Sequence, residues 1–426
     1  MKKIKQEAEK LLIGAINKSF PNINSDELGI IDMLEYPPDT SMGDLALPCF
    51  KLSRALRTSP VKIAEVLAES ITSDSFSEIN ALNGYLNFRI NPISFASRVV
   101  SDIEAQGESY GSPMNGKGRT VVLDYSSPNV AKPFHIGHLG TTVIGHSLKL
   151  LHEFAGYKCV GINHLGDWGT QFGKLITAYK RWGNKDEVET GGIDELVRLY
   201  VLFHSEAEKD DTLNDEARKE FTKLEANDAD NIALWKWFIE ISIAEYKKTY
   251  ALLGIEFDSY NGESFYTDKM PAQIEVMKQK QLLTIDDGAS VVNLEEWNMP
   301  PCLILKRDGS TLYPTRDIAA AVYRKNTYDF EKCIYVTSAG QSLHFAQWFK
   351  VVELMGYDWS DKLVHVPYGT VSINGAKLAT RTGNVILLKE LFAQAIEKVK
   401  AITKEKNPTL AERDDIAEAE IGRAHV

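Results

Sequence analysis

Apolar residues fall at helical spacing from Lys5 to Phe20, and again from Val61 to Ile71, where Ser59-Pro60 supplies a cap and a first-turn proline. Tyr85-Leu86-Asn87-Phe88-Arg89-Ile90 alternates polar and apolar, as a half-buried strand does. Residues 1 to about 112 therefore predict a separate α+β unit, and the Gly-, Ser- and Asn-rich stretch from Gln106 to Gly118 predicts its boundary. From Arg119 the period changes. Thr120 to Tyr125 predicts a buried strand centred on Val121-Val122-Leu123. Leu139, Val143, Ile144, Leu148, Leu151 and Phe154 then share one face of a predicted helix that Gly156 ends, and Tyr157 to Asn163 predicts the next strand.

Residues 183–300 break this alternation. They are charged, predict mainly helix, and read as an insertion. Alternation resumes with a strand at Cys302–Lys306, a helix at Pro314–Lys325, a strand at Lys332–Thr337, a helix at Gln341–Met355 followed by Gly356, and a strand at Leu363–Val366. The pattern predicts an α/β, Rossmann-type, doubly wound domain over residues 113–386, with two βαβ halves separated by a helical insertion. Ligands of such sheets bind beyond the carboxyl ends of the strands.

The chain has 426 residues, enough for two or three domains. A net charge of −11 argues against a protein that coats nucleic acid without sequence preference, although a basic face on an acidic body stays open. Cys49, Cys159, Cys302 and Cys333 form no CxxC pair, so neither a zinc ribbon nor a disulfide framework is expected. Without a signal peptide or a membrane-length apolar run, a cytoplasmic protein is expected, with no membrane partner.

The most informative stretch is Ser126-Ser127-Pro128-Asn129-Val130-Ala131-Lys132-Pro133-Phe134-His135-Ile136-Gly137-His138-Leu139. It joins the first strand of the domain to its helix. Two histidines three apart around Gly137 can face a nucleotide phosphate from the positive end of a helix. The plainer alternative is two polar residues capping that helix.

His135-Ile136-Gly137-His138 resembles the signature of class I aminoacyl-tRNA synthetases. The longer stretch from Ser126, with Asn163-His164-Leu165-Gly166-Asp167-Trp168-Gly169-Thr170-Gln171-Phe172-Gly173 and Leu312-Tyr313-Pro314-Thr315-Arg316-Asp317-Ile318-Ala319, resembles the arginyl-tRNA synthetase family. The likeness runs from the N-terminal unit to about residue 419, and it implies that residues 387–426 hold the start of an all-helical, anticodon-binding domain. It implies activation of arginine by ATP to arginyl-adenylate, then transfer to the 2'-hydroxyl of the terminal adenosine of tRNA(Arg). Magnesium would arrive with ATP, and no protein-bound zinc or other metal is expected. A monomer is expected.

By motif match, the resemblance assigns His135, Gly137, His138, His344 and Lys377 to the ATP side. It assigns Asn129, Glu263, Tyr313, Asp317 and Gln341 to arginine. The family's mobile Lys-Met-Ser-Lys-Ser loop corresponds here to Lys377-Leu378-Ala379-Thr380-Arg381. Lys377 keeps the first lysine, Thr380 replaces the second, and Lys132 stands where a substitute charge is expected. The catalytic set is thus His135, His138, Lys132 and Lys377. For Glu263 alone the plainer alternative is an exposed loop acid, and for Lys132 a solvated lysine. His164 could meet the ribose or be a satisfied core histidine.

The N-terminal unit resembles the add-on domain that contacts the tRNA elbow. There Asn83, Tyr85 and Asn87 are candidates for stacking on and reading a loop base, against the plainer reading of ordinary cross-strand pairs. Two rival functions are a non-catalytic, synthetase-like RNA-binding or regulatory protein and a small-molecule adenylyltransferase. The intact histidine motif and Asp317 speak against the first, and the arginine and tRNA features against the second. Ile421–Val426 do not continue an apolar helix and match one frame of a common sequencing adapter. Residues 420–426 are therefore expected to be adapter-derived and the native protein longer. A chain lacking most of the anticodon-binding domain is expected to charge tRNA poorly.

Overall fold

The computed structural model of the chain describes residues 1–21, 23, 25–369, 372–373, 376–377, 386–409, 415–417 and 419, with the side chains of residues 2, 26, 372, 373, 376 and 377 left out. The chain divides into two compact units, Met1–Gly111 and Ser112–Val426.

The first unit contains α1 (Lys2–Ser19), α2 (Ile30–Met33), β1 (Leu45–Pro48), α3 (Ser53–Leu56), α4 (Pro60–Ser70), β2 (Phe76–Leu82), β3 (Tyr85–Ile90) and α5 (Pro92–Gln106). Ser59 caps α4 by accepting from the Lys62 amide, with Pro60 in the first turn. The three strands form an antiparallel sheet in the order β1-β3-β2. Asn83 and Gly84 turn the β2–β3 hairpin with φ of 51° and 83°, the left-handed pair that a two-residue hairpin requires. Leu86 and Phe88 point into a core shared with Ala8, Leu12 and Ile63.

The second unit begins with β4 (Thr120–Asp124), α6 (Ile136–Phe154) and β5 (Lys158–Ile162). Four helices follow: α7 (Thr170–Trp182), α8 (Lys185–Ala207), α9 (Thr212–Glu225) and α10 (Ala229–Leu252). Next come α11 (Met270–Gln279), β6 (Leu283–Asp286), β7 (Ala289–Val292), β8 (Cys302–Leu305), α12 (Tyr313–Tyr328), β9 (Lys332–Ser338), α13 (Ser342–Leu354) and β10 (Leu363–Tyr368). The short strands β11 (Ser372–Ile373) and β12 (Ala376–Lys377) and the helix α14 (Leu388–Lys406) complete it.

A parallel sheet in the order β10-β9-β4-β5 carries this unit. Alternate residues of β4 serve two cores. Val121 and Leu123 join a core with Ile334 and Val336 that extends over the α7–α10 helices. Val122 joins Cys333, Ile318 and Trp348 in the other, beneath α12 and α13. The connection from β4 leads to β5 on one side, and β9 lies on the other. The strand order therefore switches at β4, where a crevice opens beyond the carboxyl ends.

Two expectations need correction. The Cys302–Lys306 strand exists as β8 but does not enter the parallel sheet. It pairs antiparallel with β7 in a separate three-stranded sheet, because the β6–β7 hairpin supplies its neighbour first. Residues 283–292 inside the expected helical insertion are accordingly strand. Helix α6 also buries its apolar face only in part, with Leu139, Ile144 and Leu148 packed half-buried against the core. Its buried residues are Thr141, Thr142 and Gly145, while Leu151 and Phe154 are 64% and 45% exposed. Close approach to the sheet selects the small residues: a Cβ on Gly145 would stand 2.3 Å from the Tyr125 Cβ.

Candidate active site

The loop between β4 and α6 is built under strain. Ser126, Ser127 and Ala131 have φ of 72°, 48° and 55°, conformations that cost of order 1–3 kcal/mol each outside glycine. Buried hydrogen bonds hold them there. Ser126 Oγ meets Tyr250 Oη at 2.7 Å and accepts from Thr142 Oγ1 at 2.8 Å. Ser127 Oγ donates to Asp124 Oδ1 at 2.9 Å, and the Ser127 amide donates to Asn163 Oδ1. Asp124 is anchored by Arg324, 1% exposed, at 2.8 Å. The Ala131 amide donates to Ser242 Oγ at 3.0 Å. Tyr246 Oη lies 2.7 Å from the Asn129 carbonyl and 2.9 Å from that of Lys132.

The loop delivers His135 as the N-cap of α6. His135 Nδ1 accepts from the Gly137 amide at 3.1 Å, and His138 Nδ1 accepts from the His135 amide at 3.2 Å, forming a capping box. The two rings stand 4.0 Å apart between centroids. With each Nδ1 accepting, the proton of each neutral ring sits on Nε2. Burial, which outweighs a bond within His135 itself, and the nearby Lys132 charge lower the His135 pKa. Burial, His135 and Lys132 together push His138 down to about 3. At neutral pH the helix mouth thus offers two uncharged N–H donors beside one lysine charge. The capping role given as the plainer reading is real, and it fixes which nitrogen carries the proton.

The second motif is laced to this loop. The Val130 amide donates to the Gly166 carbonyl and the Gly166 amide to the Pro128 carbonyl, both at 3.1 Å. Asn129, exposed, lays its side chain against Gly166. The Glu263 amide donates to the Leu165 carbonyl at 2.9 Å, so Glu263 is carried to the same rim. Asp167 sets its angle. Both carboxylate oxygens of Asp167 are used by Ser264, one by the amide at 2.8 Å and one by the hydroxyl at 2.6 Å. Gly262 is required there, because a Cβ would come 2.5 Å from the Asp167 carboxyl carbon.

Glu263 is not an exposed loop acid. Its side chain is 16% exposed and pairs with Arg316. Burial first, then Asp317 and Asp167, raise its pKa to about 7 against the opposing pull of Arg316. Tyr313, 64% exposed, and Asp317 follow one another on the first turns of α12. Asp317 Oδ2 meets His344 Nε2 at 2.6 Å. His344, expected on the ATP side, therefore sits on a carboxylate expected to hold arginine. Gln341 is exposed one turn before His344. His164 packs on Tyr266 and meets Arg324 Nη2 at 3.4 Å, with burial leading the fall of its pKa.

Lys377 lies in β12, paired with β11, while its side chain and residues 378–385 lie outside the described residues, as do residues 420–426. Beyond that loop the chain returns to the histidine motif. The Ile136 amide donates to the Ile386 carbonyl, and the Leu388 amide to the Phe134 carbonyl. In the first unit, Asn83 and Tyr85 are exposed at the hairpin turn, with Tyr85 edge-on to Phe50. Asn87, expected to read a base beside them, is instead 6% exposed, because the mid-strand position is covered where the turn is not. Among the described residues, no group of three His, Cys, Asp or Glu could hold a metal ion, and no helix is long and apolar enough to cross a membrane.

Sequence reasoning missed Arg316, Arg324 and the stripe Ser242, Tyr246 and Tyr250. The stripe recurs every four residues on α10, a spacing that also describes ordinary core packing. Tyr246 has one proton for two carbonyls. Tyr246→Phe takes that proton away from two half-buried acceptors, at about 1 kcal/mol. We expect a lower urea midpoint; an unchanged midpoint would deny the tyrosine its role in shaping the loop.

Comparison with known proteins gives the family. A family model described as tRNA synthetases class I (R), catalytic domain, matches residues 99–424, and an arginyl tRNA synthetase N terminal domain model matches residues 2–90. An arginine–tRNA ligase of Alkaliphilus metalliredigens is 52% identical over 389 residues, covering 91% of this chain and 69% of that protein. One of Clostridium perfringens is 50% identical over 385 residues, covering 90% and 68%. Among solved structures, arginyl-tRNA synthetase from Plasmodium falciparum aligns with a TM-score of 0.66 at 25% identity, over 99% of this chain and 73% of its own. The Thermus thermophilus arginyl-tRNA synthetase shares the fold, with a TM-score of 0.65 at 19% identity, over 99% and 74%. The chain belongs to the arginyl-tRNA synthetase family.

Proposed function

We propose that the chain is an arginine–tRNA ligase that makes arginyl-adenylate at the mouth of α6 and passes the arginyl group to the 2'-hydroxyl of the terminal adenosine of tRNA(Arg). In the first step the arginine carboxylate attacks the α-phosphorus of ATP and pyrophosphate leaves. Negative charge spreads over phosphoryl oxygens, so catalysis is positioning and charge stabilisation. His135 and His138 present Nε2–H donors at a helix N-terminus, and the Gly137 position keeps the backbone close to the nucleotide. Lys132, whose charge is felt at both rings, and Lys377 supply positive charge to the phosphates. Mg²⁺ accompanies ATP.

Asn129 meets the reacting end of arginine. Glu263, Asp317, Tyr313 and Gln341 receive its guanidinium, for which planar carboxylates are the fitting partners. His344 steadies Asp317 and so acts from the arginine side. At the N-terminal hairpin, Asn83 and Tyr85 touch tRNA, with Asn87 behind them. The protein acts as a cytoplasmic monomer. The observation that supports the reading is the backbone lacing from Asn129 to Gly166 and from Leu165 to Glu263, which ties the loop before α6 to the chain segment that carries Glu263. Exchange of labelled pyrophosphate into ATP tests it, with and without tRNA(Arg). We expect exchange with arginine and none with lysine or citrulline; exchange that ignores the amino acid contradicts the assignment.

A further inference from the structure

In the arginine-binding reading Glu263 and Asp317 serve one guanidinium, and arginine brings a single charged side chain. Glu263 and Asp317 interact through space, and like charges in a poorly solvated site resist being ionised together. The chain supplies its own guanidinium. Arg316 Nη1 lies 2.5 Å from Glu263 Oε2, with the two side chains 12% and 16% exposed. Its guanidinium carbon stands 5.8 Å from the Tyr313 ring centroid, and its Nε is buried. Thr315, fully buried and bonded to the Ile304 carbonyl at 2.6 Å, fixes the backbone just before it. Among the described residues, Glu263 Oε1 has no hydrogen-bond partner.

We propose that Arg316 is a positioning residue for recognition of the substrate side chain: it grips Glu263 by one oxygen and leaves the other for the incoming guanidinium. The inference rests on the arginine-binding reading above. Arg316 also offsets one of the two negative charges, so the pocket as a whole matches one cation. The charged groups facing Glu263 are Arg316 and Asp317 from α12 and Asp167 from the loop before α7, with His344 of α13 acting through Asp317. Of these, Arg316 favours the charged carboxylate, and burial, Asp317 and Asp167 oppose it.

The test is calorimetric titration of L-arginine into the whole chain from pH 6.5 to 9, with Arg316→Met and Arg316→Lys. Wild-type affinity should rise with pH as Glu263 ionises, because the bound guanidinium needs the carboxylate. Arg316→Met should bind about tenfold or more weakly at pH 7.5 and recover as pH rises, one unit of pKa being tenfold in ionisation. At pH 8 its binding should release most of a proton, read from the buffer dependence of the enthalpy, where wild type releases a small fraction. Arg316→Lys keeps the charge and loses the fork, so its pH profile should stay in place while affinity falls; it decides the matter if Arg316→Met is unfolded by circular dichroism. Binding in Arg316→Met as tight as wild type, or tighter, would mean that Arg316 is idle or competes with the ligand. Weaker binding without the pH shift or the proton would mean mere scaffolding. Either result overturns the inference alone, whereas a wild type that binds no arginine overturns the reading beneath it.

Discussion

His138→Gln should lower the rate of arginyl-adenylate formation by about 10²–10³, the loss that follows removal of one preorganised donor from a developing oxyanion. Glutamine at the third helical position still accepts from the N-cap amide, as the Nδ1 of His138 does here at 3.2 Å. It therefore spares the cap and removes the outward Nε2–H. His138→Ala removes both, and should add about 1 kcal/mol of destabilisation from the lost cap. Rapid-quench measurement of adenylate with urea unfolding separates the two. Because burial leads the fall of the His138 pKa to about 3, the ring is neutral across pH 5 to 8. No limb of the rate profile in that range should disappear in His138→Gln. A variant that lost stability but kept its rate would reduce His138 to a capping residue.

The largest effect on stability should come from a residue that touches no substrate. Arg324 is 1% exposed, its Nη2 lies 2.8 Å from Asp124 Oδ2, and its Nε and Nη1 are buried without partners. Such a pair adds little net stability when whole, but removing one partner leaves an unpaired buried charge and costs about 3–5 kcal/mol. Arg324→Met should show that loss in denaturant unfolding. Combining it with Asp124→Asn should restore much of it, since the stranded carboxylate is gone. Activity should not return to the same extent. Asp124 holds Ser127, whose φ of 48° belongs to the strained turn before the histidines. Equal recovery of stability and activity would show that the pair serves the core and not the loop.

How much of this was legible in the sequence follows from how local each signal is. The strand–loop–helix frame of the histidine motif could be read because its period, glycine and caps are consecutive in the chain. How far the apolar face of α6 is buried could not. Leu151 and Phe154 share its apolar stripe, yet Gly145 decides which side meets the sheet, and that depends on Tyr125 twenty residues earlier. β8 has the composition of a core strand, and only the position of the β6–β7 hairpin sends it to another sheet. Glu263 and Asp317 were legible as acids in matched motifs, but Arg316 and His344, their partners here, meet them only after folding. Hydroxyls on α10 reach the loop from more than a hundred residues away, without a sequence sign to separate them from packing.

The central claim is that one crevice holds the phosphate-facing histidines and the arginine-reading acids, and that arginyl-adenylate forms there. Its most direct test is to incubate the whole chain with [α-³²P]ATP, L-arginine and tRNA(Arg), quench, and separate the labelled products. The account predicts labelled arginyl-AMP and AMP that require arginine, are absent with lysine, and fall by about 10²–10³ in His138→Gln. Labelled adenylate that forms equally with lysine, or that survives unchanged in His138→Gln, would contradict it.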